Sequence, residues 1–246
     1  MSKVLVFKAQ SHHVSPRLLD EMYRLRYQVF KERMKWDIPS VNGMDIDRFD
    51  ALDPLYAVYL DDTNNVLGSW RLLPTTGPYM IRDVFPELLG EEEAPAQPAI
   101  WEISRFSARP TGSESQSLAA IHPITSALLI SLIQVCLRAG ITRVVSASDL
   151  LFERVLKRTG ALAHRIGPVC QIGITRAVAG WIDINLDHLD ALVEASPLPN
   201  PLRILDVATL DHDLDVYPGL LLDALSGGAL AAAPSATADT FESGIQ

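Results

Sequence analysis

Six ionisable side chains lie in segments of the first half of the chain that otherwise look buried: Arg26, Asp47, Asp50, Arg71, Glu102 and Arg105. Charged side chains are almost never fully buried unless they are paired. Three arginines and three carboxylates in apolar surroundings therefore predict either a structural ion-pair network or the lining of a polar pocket. We favour the pocket, because clusters of perturbed ionisable groups tend to mark functional sites.

Glu102 is the best candidate for a general base. It lies in residues 100–106, whose aromatic and β-branched content predicts a strand. Because Trp101 and Ile103 flank it, its carboxylate should lose hydration, which raises its pKa toward the range in which a base works. A plain ion pair with Arg105 is the alternative. Strict alternation would place these two side chains on opposite faces of the strand, so a shared site requires either a β-bulge or a site that wraps the end of the strand.

Asp47 and Asp50 flank Phe49 in residues 35–54, a long stretch without clean periodicity that we expect to be an ordered loop. Paired aspartates in a solvated loop usually only cap a turn. Beside three arginines, they could instead form a lattice that presents negative potential to a cationic ligand. A spare arginine could then bind a carboxylate through two hydrogen bonds.

Periodicity predicts the elements that must position these residues. Ser15 and Pro16 should begin a helix that runs to about Arg33, with Arg26 at the edge of the core. Phe85 should be the buried anchor of a short helix. We predict strands over residues 4–7, 55–60, 66–73, 100–108, 143–148, 171–177 and 181–185, and further helices over 83–89, 117–139, 150–159 and 187–195. Pro123 could mark the true start of the 117–139 helix. The alternation after residue 100 indicates an α/β fold with a mixed sheet.

Composition excludes several functional classes. A net charge of −9 over 246 residues argues against general nucleic-acid binding, which needs a basic face. No apolar run reaches transmembrane length and the N-terminus opens no secretory signal, so we expect a cytoplasmic protein that does not enter a membrane. Two distant cysteines and scattered histidines predict no metal site. Nucleophile motifs and glycine-rich phosphate loops are also missing from the sequence.

The character of the chain changes near residue 196, where Pro197, Pro199 and Pro201 suggest a boundary. We expect one domain over residues 1–195 and a C-terminal extension over residues 196–246. A small appended element is expected near residues 202–225. After residue 226 the sequence is rich in Ala, Gly, Ser and Thr, which predicts flexibility.

These segments together resemble the acyl-homoserine-lactone synthases, the autoinducer synthases of bacterial quorum sensing. Order and spacing match over about residues 5–190, and the matching pieces are Leu25-Arg26-Tyr27-Gln28-Val29-Phe30, Trp36, Asp45-Ile46-Asp47-Arg48-Phe49-Asp50, Gly68-Ser69-Trp70-Arg71-Leu72-Leu73-Pro74-Thr75, Phe85 and Trp101-Glu102-Ile103-Ser104-Arg105-Phe106. Each piece alone is weak, whereas the ordered set is specific. The resemblance implies an acetyltransferase-like (GNAT-type) three-layer α/β/α sandwich with a mixed, largely antiparallel sheet.

The resemblance also implies an acyltransferase without a cofactor, since S-adenosylmethionine is a substrate. The amine of S-adenosylmethionine attacks a fatty acyl thioester on acyl carrier protein, and the methionine carboxylate then closes a lactone and expels methylthioadenosine (MTA). Catalysis is expected from Glu102, Arg105, Asp47 and Asp50. Substrate binding is expected from Arg26, Phe30, Trp36, Arg71, Phe85, Phe106 and Ser146. A hydroxyl at Ser146 goes with a 3-oxo acyl group in related synthases, although an ordinary strand serine is the alternative.

Arg154, Lys157 and Arg158 should share one face of a helix, because they are spaced three and four residues apart. They match the basic helix on which the family docks its acidic carrier protein, and a solvated charged face is the alternative. Two rival functions stay open. One is an acetyl-CoA-dependent N-acetyltransferase of the same fold, for which residues 109–114 are a near miss to the pyrophosphate-binding loop. The other is a catalytically silent module that binds S-adenosylmethionine.

Overall fold

The computed structural model describes residues 3–11, 14–109, 121–158, 163–198, 203–206 and 213–215. Its strands are β1 (Lys3–Lys8), β2 (Leu55–Leu60), β3 (Val66–Pro74), β4 (Ile100–Ala108), β5 (Arg143–Asp149), β6 (Ala163–Arg165), β7 (Cys170–Ile172), β8 (Thr175–Asp183), β9 (Arg203–Asp206) and β10 (Asp213–Asp215). Its α-helices are α1 (Pro16–Tyr27), α2 (Met80–Val84), α3 (Pro123–Arg138), α4 (Leu150–Arg158) and α5 (Leu186–Glu194). A π-helical turn (Gln28–Arg33) and two 3₁₀ helices (Arg48–Leu52 and Pro86–Leu89) complete the set.

All ten strands belong to one sheet, in the order β10-β9-β1-β2-β3-β4-β5-β8-β6, with β7 paired to β8. The β1–β9 and β4–β5 pairs are parallel, and the other described pairs are antiparallel. The mixed, largely antiparallel sheet is therefore confirmed. Strands β9 and β10 lie beyond residue 195 and extend this sheet at the β1 edge, while the predicted domain boundary there stays a prediction. The helices in the described ranges are all too short or too polar to span a membrane.

Helices cover both faces of the sheet, as the side-chain alternation of β2 illustrates. Tyr56 and Val58 pack in a cluster with residues of α1, whereas Ala57 and Tyr59 pack on the opposite face in a cluster with α3 and α5. Successive strand residues point to opposite faces of the sheet, so the apolar side chains on each face need a helical layer to cover them. The three-layer α/β/α arrangement is thus confirmed.

The first helix begins as predicted and then changes its winding. Ser15 caps α1 by accepting a hydrogen bond from the Leu18 N–H at 3.2 Å, and Pro16 is the first helical residue. The helix continues as the π-helical turn to Arg33, close to the predicted end. Arg26 is only 1% exposed, so it avoids the solvent face as expected, but it lies deeper than the predicted edge of the core.

Several other boundaries differ from the sequence-based expectations. The short helix starts at Met80 rather than near residue 83, and α3 starts at Pro123 with His122 as its N-cap. Residues 117–120 and residue 159 lie outside the described residues. The predicted strands 171–177 and 181–185 are wrongly divided, because the chain turns at Gly173 (φ 58°) and β8 then runs through to Asp183. The short strand β6 was not predicted.

The predicted β-bulge in β4 is confirmed. Ser69 of β3 lies opposite Ser107, and Arg71 lies opposite Ser104, so one residue of β3 faces two residues of β4. Arg105, inside the bulge, has a left-handed backbone with a φ of 53°. Because the bulge shifts the alternation by one residue, Glu102 and Arg105 can both line one cavity.

Strands β4 and β5 separate immediately after the level of Glu102. Their parallel pairing joins Ile100–Glu102 to Arg143–Val145 and goes no further in the described register. Beyond that point β5 remains paired with β8, while β4 remains paired with β3. The separation leaves a wedge-shaped opening inside the sheet, and this is where the site is built.

Close packing between β3 and α3 generates a stability prediction. A Cβ atom at Gly68 would lie 2.7 Å from Ile124 Cγ2 and 2.8 Å from Leu128 Cδ1. We expect Gly68→Ala to lower the free energy of unfolding by about 1–3 kcal/mol through overpacking, measured by urea denaturation. Gly77→Ala is the matched control, because a Cβ there would meet nothing within 4 Å. Equal stability of the two variants would contradict this account of the β3–α3 contact.

Candidate active site

A buried network of three arginines and three aspartates lies behind the cavity. The guanidinium of Arg26 donates to both carboxylate oxygens of Asp50, at 2.8 and 3.0 Å, and to Asp45 at 3.2 Å. Arg71 donates to Asp47 at 2.6 Å and to Asp50 at 2.8 Å. Arg105 lies 2.9 Å from Asp45 and 3.0 Å from Asp47. The pocket and network interpretations of the sequence are therefore both correct, for different members of the charged set.

Asp45 is the network member that the sequence did not reveal. It is 0% exposed and bridges Arg26 and Arg105. The signal available was its position in the acidic run with Asp47 and Asp50, which otherwise looks like a solvated loop. With Asp45 included, the positive and negative charges of the network balance.

The loop backbone fixes the other two aspartates. Asp47 caps the Arg48–Leu52 helix by accepting from the Phe49 N–H at 2.9 Å, and Asp50 accepts in return from the Asp47 N–H at 2.8 Å. Tyr56 also donates its hydroxyl to Asp50 at 2.6 Å. Burial would raise the pKa of Asp50, but Arg26 and Arg71 outweigh burial and hold that pKa below its usual range. These aspartates thus cap a turn and pair with the arginines at once.

Glu102 is bound by backbone rather than by an arginine. Its carboxylate accepts from the N–H groups of Met80 and Ile81, at 2.9 and 2.7 Å, where α2 begins. The alternative of a plain ion pair with Arg105 is wrong, because Arg105 is turned toward Asp45 and Asp47. Burial raises the pKa of Glu102 to about 7, although the two N–H groups partly oppose this rise. A carboxylate with this pKa can accept or release a proton near neutral pH.

The cavity itself encloses about 140 Å³ in the opening between β4 and β5. Seven of the predicted site residues line it: Phe30, Trp36, Phe85, Glu102, Arg105, Phe106 and Ser146. Arg26, Arg71, Asp47 and Asp50 are not among the lining residues and act from behind the wall. Two further charged residues that the sequence did not single out, Arg33 and Asp149, also line the cavity.

Aromatic side chains form much of the cavity wall. The rings of Phe30 and Trp36 lie 5.4 Å apart, and the guanidinium of Arg105 lies 5.3 Å from the centre of the Phe30 ring. The Trp36 indole N–H donates to the Thr175 hydroxyl at 3.0 Å, a contact between residues 139 positions apart that no local sequence pattern indicates. Phe85 is only half-buried, so it lines the cavity and is not the deep anchor that we expected. Leu88 and Leu89 fill that role.

Ser146 stands between the main cavity and a smaller one of about 20 Å³ beneath α4. Its hydroxyl donates to the Ala147 carbonyl at 3.5 Å, a long contact that leaves the hydroxyl able to bind another group. The smaller cavity also touches Leu156 and the ion pair of Glu153 with Arg165, whose atoms approach to 2.7 Å.

The basic residues of α4 lie on the surface, away from the cavity. Arg154, Lys157 and Arg158 are all exposed, as their helical spacing predicts. Lys157 is partly neutralised by Glu153 at 3.1 Å. Within the described ranges, no cluster of three or more His, Cys, Asp and Glu side chains could hold a metal ion.

Comparisons with known proteins agree with this geometry. The Autoinducer synthase family profile matches residues 10–192. The acyl-homoserine-lactone synthase of Pseudomonas aeruginosa is 42% identical over 171 residues, which are 69% of this chain and 84% of that protein. The solved AHL synthase LasI superposes with a TM-score of 0.71 and 36% identity, over 82% of this chain and 99% of that chain.

A second solved structure, TofI in a ternary complex with an inhibitor and MTA, is 32% identical with a TM-score of 0.66, over 78% of this chain and 96% of that chain. The family profile spans most of the chain, including every segment that builds the network and the cavity. The chain therefore belongs to the autoinducer synthase family, and it is an acyltransferase.

Proposed function

We propose that the chain is an acyl-homoserine-lactone synthase that transfers a fatty acyl group to the amine of S-adenosylmethionine and then forms the lactone. The observation that carries the proposal is the position of Glu102, a desolvated carboxylate with a pKa of about 7 at the point where β4 and β5 separate. The likeness to TofI, which was solved with MTA, supports S-adenosylmethionine as the substrate. The reaction would take place in the cytoplasm, where we expect both substrates.

The substrate ammonium must lose a proton before it can attack a thioester. Glu102 takes this proton, directly or through one water molecule, because its carboxylate form is populated near pH 7 and is held in place by two N–H groups. Phe30 and Trp36 offer aromatic faces to the sulfonium or the adenine. Arg105 and the network behind it keep these groups aligned.

Attack on the thioester develops negative charge on the carbonyl oxygen. Backbone N–H groups of β4 beyond Glu102 stabilise this oxyanion, because β5 does not use them for pairing at that level. The nitrogen–carbon bond forms, the thiolate of the donor leaves, and an amide results. The methionine carboxylate then attacks its own γ-carbon, and MTA departs with the electrons of the carbon–sulfur bond.

The acyl chain would extend past Ser146 toward α4. A free Ser146 hydroxyl could hydrogen-bond the extra carbonyl of a 3-oxo acyl group, so we propose a 3-oxo product. The donor we propose is acyl carrier protein, an acidic partner that the exposed arginines of α4 suit.

Mass spectrometry of spent medium from cells that express the chain tests the function directly. We expect an acyl-homoserine lactone, and its mass will name the acyl group and show whether the 3-oxo carbonyl is present. An N-acetylated product in its place would indicate the acetyl-CoA-dependent enzyme. Binding of S-adenosylmethionine with no product from any acyl donor would indicate a silent binding module.

The general base is tested by Glu102→Gln. We expect kcat to fall by about 100-fold or more, because a positioned base contributes about 10²–10⁴ to the rate. In the wild type, kcat/KM should rise with pH and level off above about 7, since the carboxylate form of Glu102 is the active one. The variant should lose this rise.

Asp149→Asn is the matched comparison, since Asp149 also lines the cavity and Asn can still cap α4. We expect a much smaller loss of kcat for this variant. A larger loss there than in Glu102→Gln would move the base to Asp149, and the melting temperature of both variants shows whether folding is intact.

Carrier docking is tested by reversing two charges on α4, with Arg154→Glu and Arg158→Glu combined. The apparent KM for acyl carrier substrate should rise about tenfold or more, while the KM for S-adenosylmethionine stays unchanged. Arg17→Glu with Arg24→Glu makes the same charge change at exposed positions of α1 and should have no effect on the KM for the carrier. An unchanged KM for the carrier would remove the docking assignment, and efficient turnover of acyl-CoA alone would identify CoA as the donor carrier.

A further inference from the structure

The arginines of the sequence motifs are committed mainly to the buried aspartates. Arg26, Arg71 and Arg105 each lie within ion-pair distance of at least two aspartates of the network, although the Nε of Arg105 makes no aligned hydrogen bond within the described residues. Of the three, only Arg105 lines the cavity, and its guanidinium faces the aspartates behind it. Both substrates of the proposed reaction nevertheless carry oxyanions. One is the methionine carboxylate, and the other is the phosphate of the phosphopantetheine arm that bears the acyl thioester.

Arg33 lies on the same cavity wall in a very different environment. It is the last residue of the π-helical turn, it is exposed, and it lines the cavity beside Phe106. Among the described residues, its guanidinium donates a hydrogen bond to the Ala108 carbonyl alone, at 3.4 Å, near the end of β4. Across the described part of the chain, no carboxylate lies within ion-pair distance of Arg33. By contrast, Lys31 in the same turn is paired with Asp37 at 3.1 Å.

We propose that Arg33 binds an oxyanion of a substrate at the mouth of the cavity. A guanidinium offers parallel N–H donors that match a carboxylate or a phosphate with two hydrogen bonds. The inference rests on the proposed function for the identity of the substrates. It assigns to Arg33 the two-pronged contact with a substrate carboxylate that the sequence analysis had suggested for one of Arg26, Arg71 and Arg105.

The position of Arg33 favours binding over structural support. A buried arginine without a carboxylate would destabilise the fold, but an exposed arginine at a cavity mouth keeps its hydration until a ligand arrives. The aromatic rings of Phe106 and Phe152, 4.8 Å apart, form an apolar wall of the same cavity. Binding of a substrate would exclude water from this wall and strengthen the ion pair beside it.

Binding of S-adenosylmethionine and of its decarboxylated analogue by calorimetry tests the carboxylate. If Arg33 holds the carboxylate, Arg33→Gln should raise the Kd for S-adenosylmethionine by about tenfold or more and leave the Kd of the analogue within about twofold. Arg33→Lys should restore part of the loss, because it keeps the charge without the two-pronged geometry. Arg24→Gln is the control, since Arg24 is an exposed arginine whose one hydrogen bond within the described ranges is likewise to a backbone carbonyl, that of Asn42, at 3.4 Å.

A second pair of ligands tests the phosphate. Acyl-phosphopantetheine and acyl-pantetheine, carrying the acyl group found in the lactone, are compared as substrates of the same variants. If Arg33 holds the phosphate, Arg33→Gln should raise the KM of the phosphorylated donor about tenfold and spare the other. Equal behaviour of Arg33→Gln and Arg24→Gln toward all four ligands would overturn the inference. Failure of the wild type to make a lactone would instead contradict the proposed function. The calorimetric test of Arg33 does not depend on product formation, so the two failures can be told apart.

Discussion

Burial of three guanidinium groups is the constraint on which the rest of the structure depends. Removal of one partner from such a buried pair typically costs about 3–5 kcal/mol, because it strands a charge in a poorly solvated site. Each of Arg26, Arg71 and Arg105 comes from a different element, and each needs aspartates from one short loop. The loop must therefore adopt a single position against α1, β3 and β4. The same requirement stabilises the left-handed backbone of Arg105, a conformation that costs an arginine free energy unless its surroundings enforce it.

Much of this arrangement was accessible from the sequence, because the elements are strongly patterned. The cap at Ser15 and the apolar run of β2 each have one simple structural solution, and the spacing of Glu102 and Arg105 leaves only two, of which the bulge is the one found. The burial of Asp45 in the network was not predicted, because an aspartate in an aperiodic stretch carries no local sign of burial. Of the two partners of Arg105, Asp47 was anticipated as a member of the aspartate–arginine lattice, whereas Asp45, 60 residues away along the chain, was not. Gly180 lies in the gap between two predicted strands, yet a Cβ there would lie 2.9 Å from the His164 carbonyl oxygen, so glycine permits β6 to pair closely with β8.

Glu102 shows how two opposing effects can set a useful acidity. Its removal from water favours the neutral acid, whereas two N–H groups at the start of α2 favour the anion. Had Arg105 paired with it directly, the anion would have been favoured much more strongly and the group would be a weak base. By pairing with Arg105, the aspartates thus affect the acidity of Glu102, although they do not line the cavity. The buried network and the cavity therefore act together in setting the pKa of Glu102.

The hydrogen bond between Trp36 and Thr175 has a consequence for synthesis of the protein on the ribosome. The indole belongs to the first sixth of the chain, but its acceptor is on β8, the strand that also completes the pairing of β5. A nascent chain can fold the α1–β3 region early. The Trp36 side chain in the aromatic wall of the cavity lacks its hydrogen bond to Thr175, however, until β8 has emerged. The cavity therefore becomes whole late in translation, and an unfinished polypeptide carries the charged network without a functioning enclosure around it.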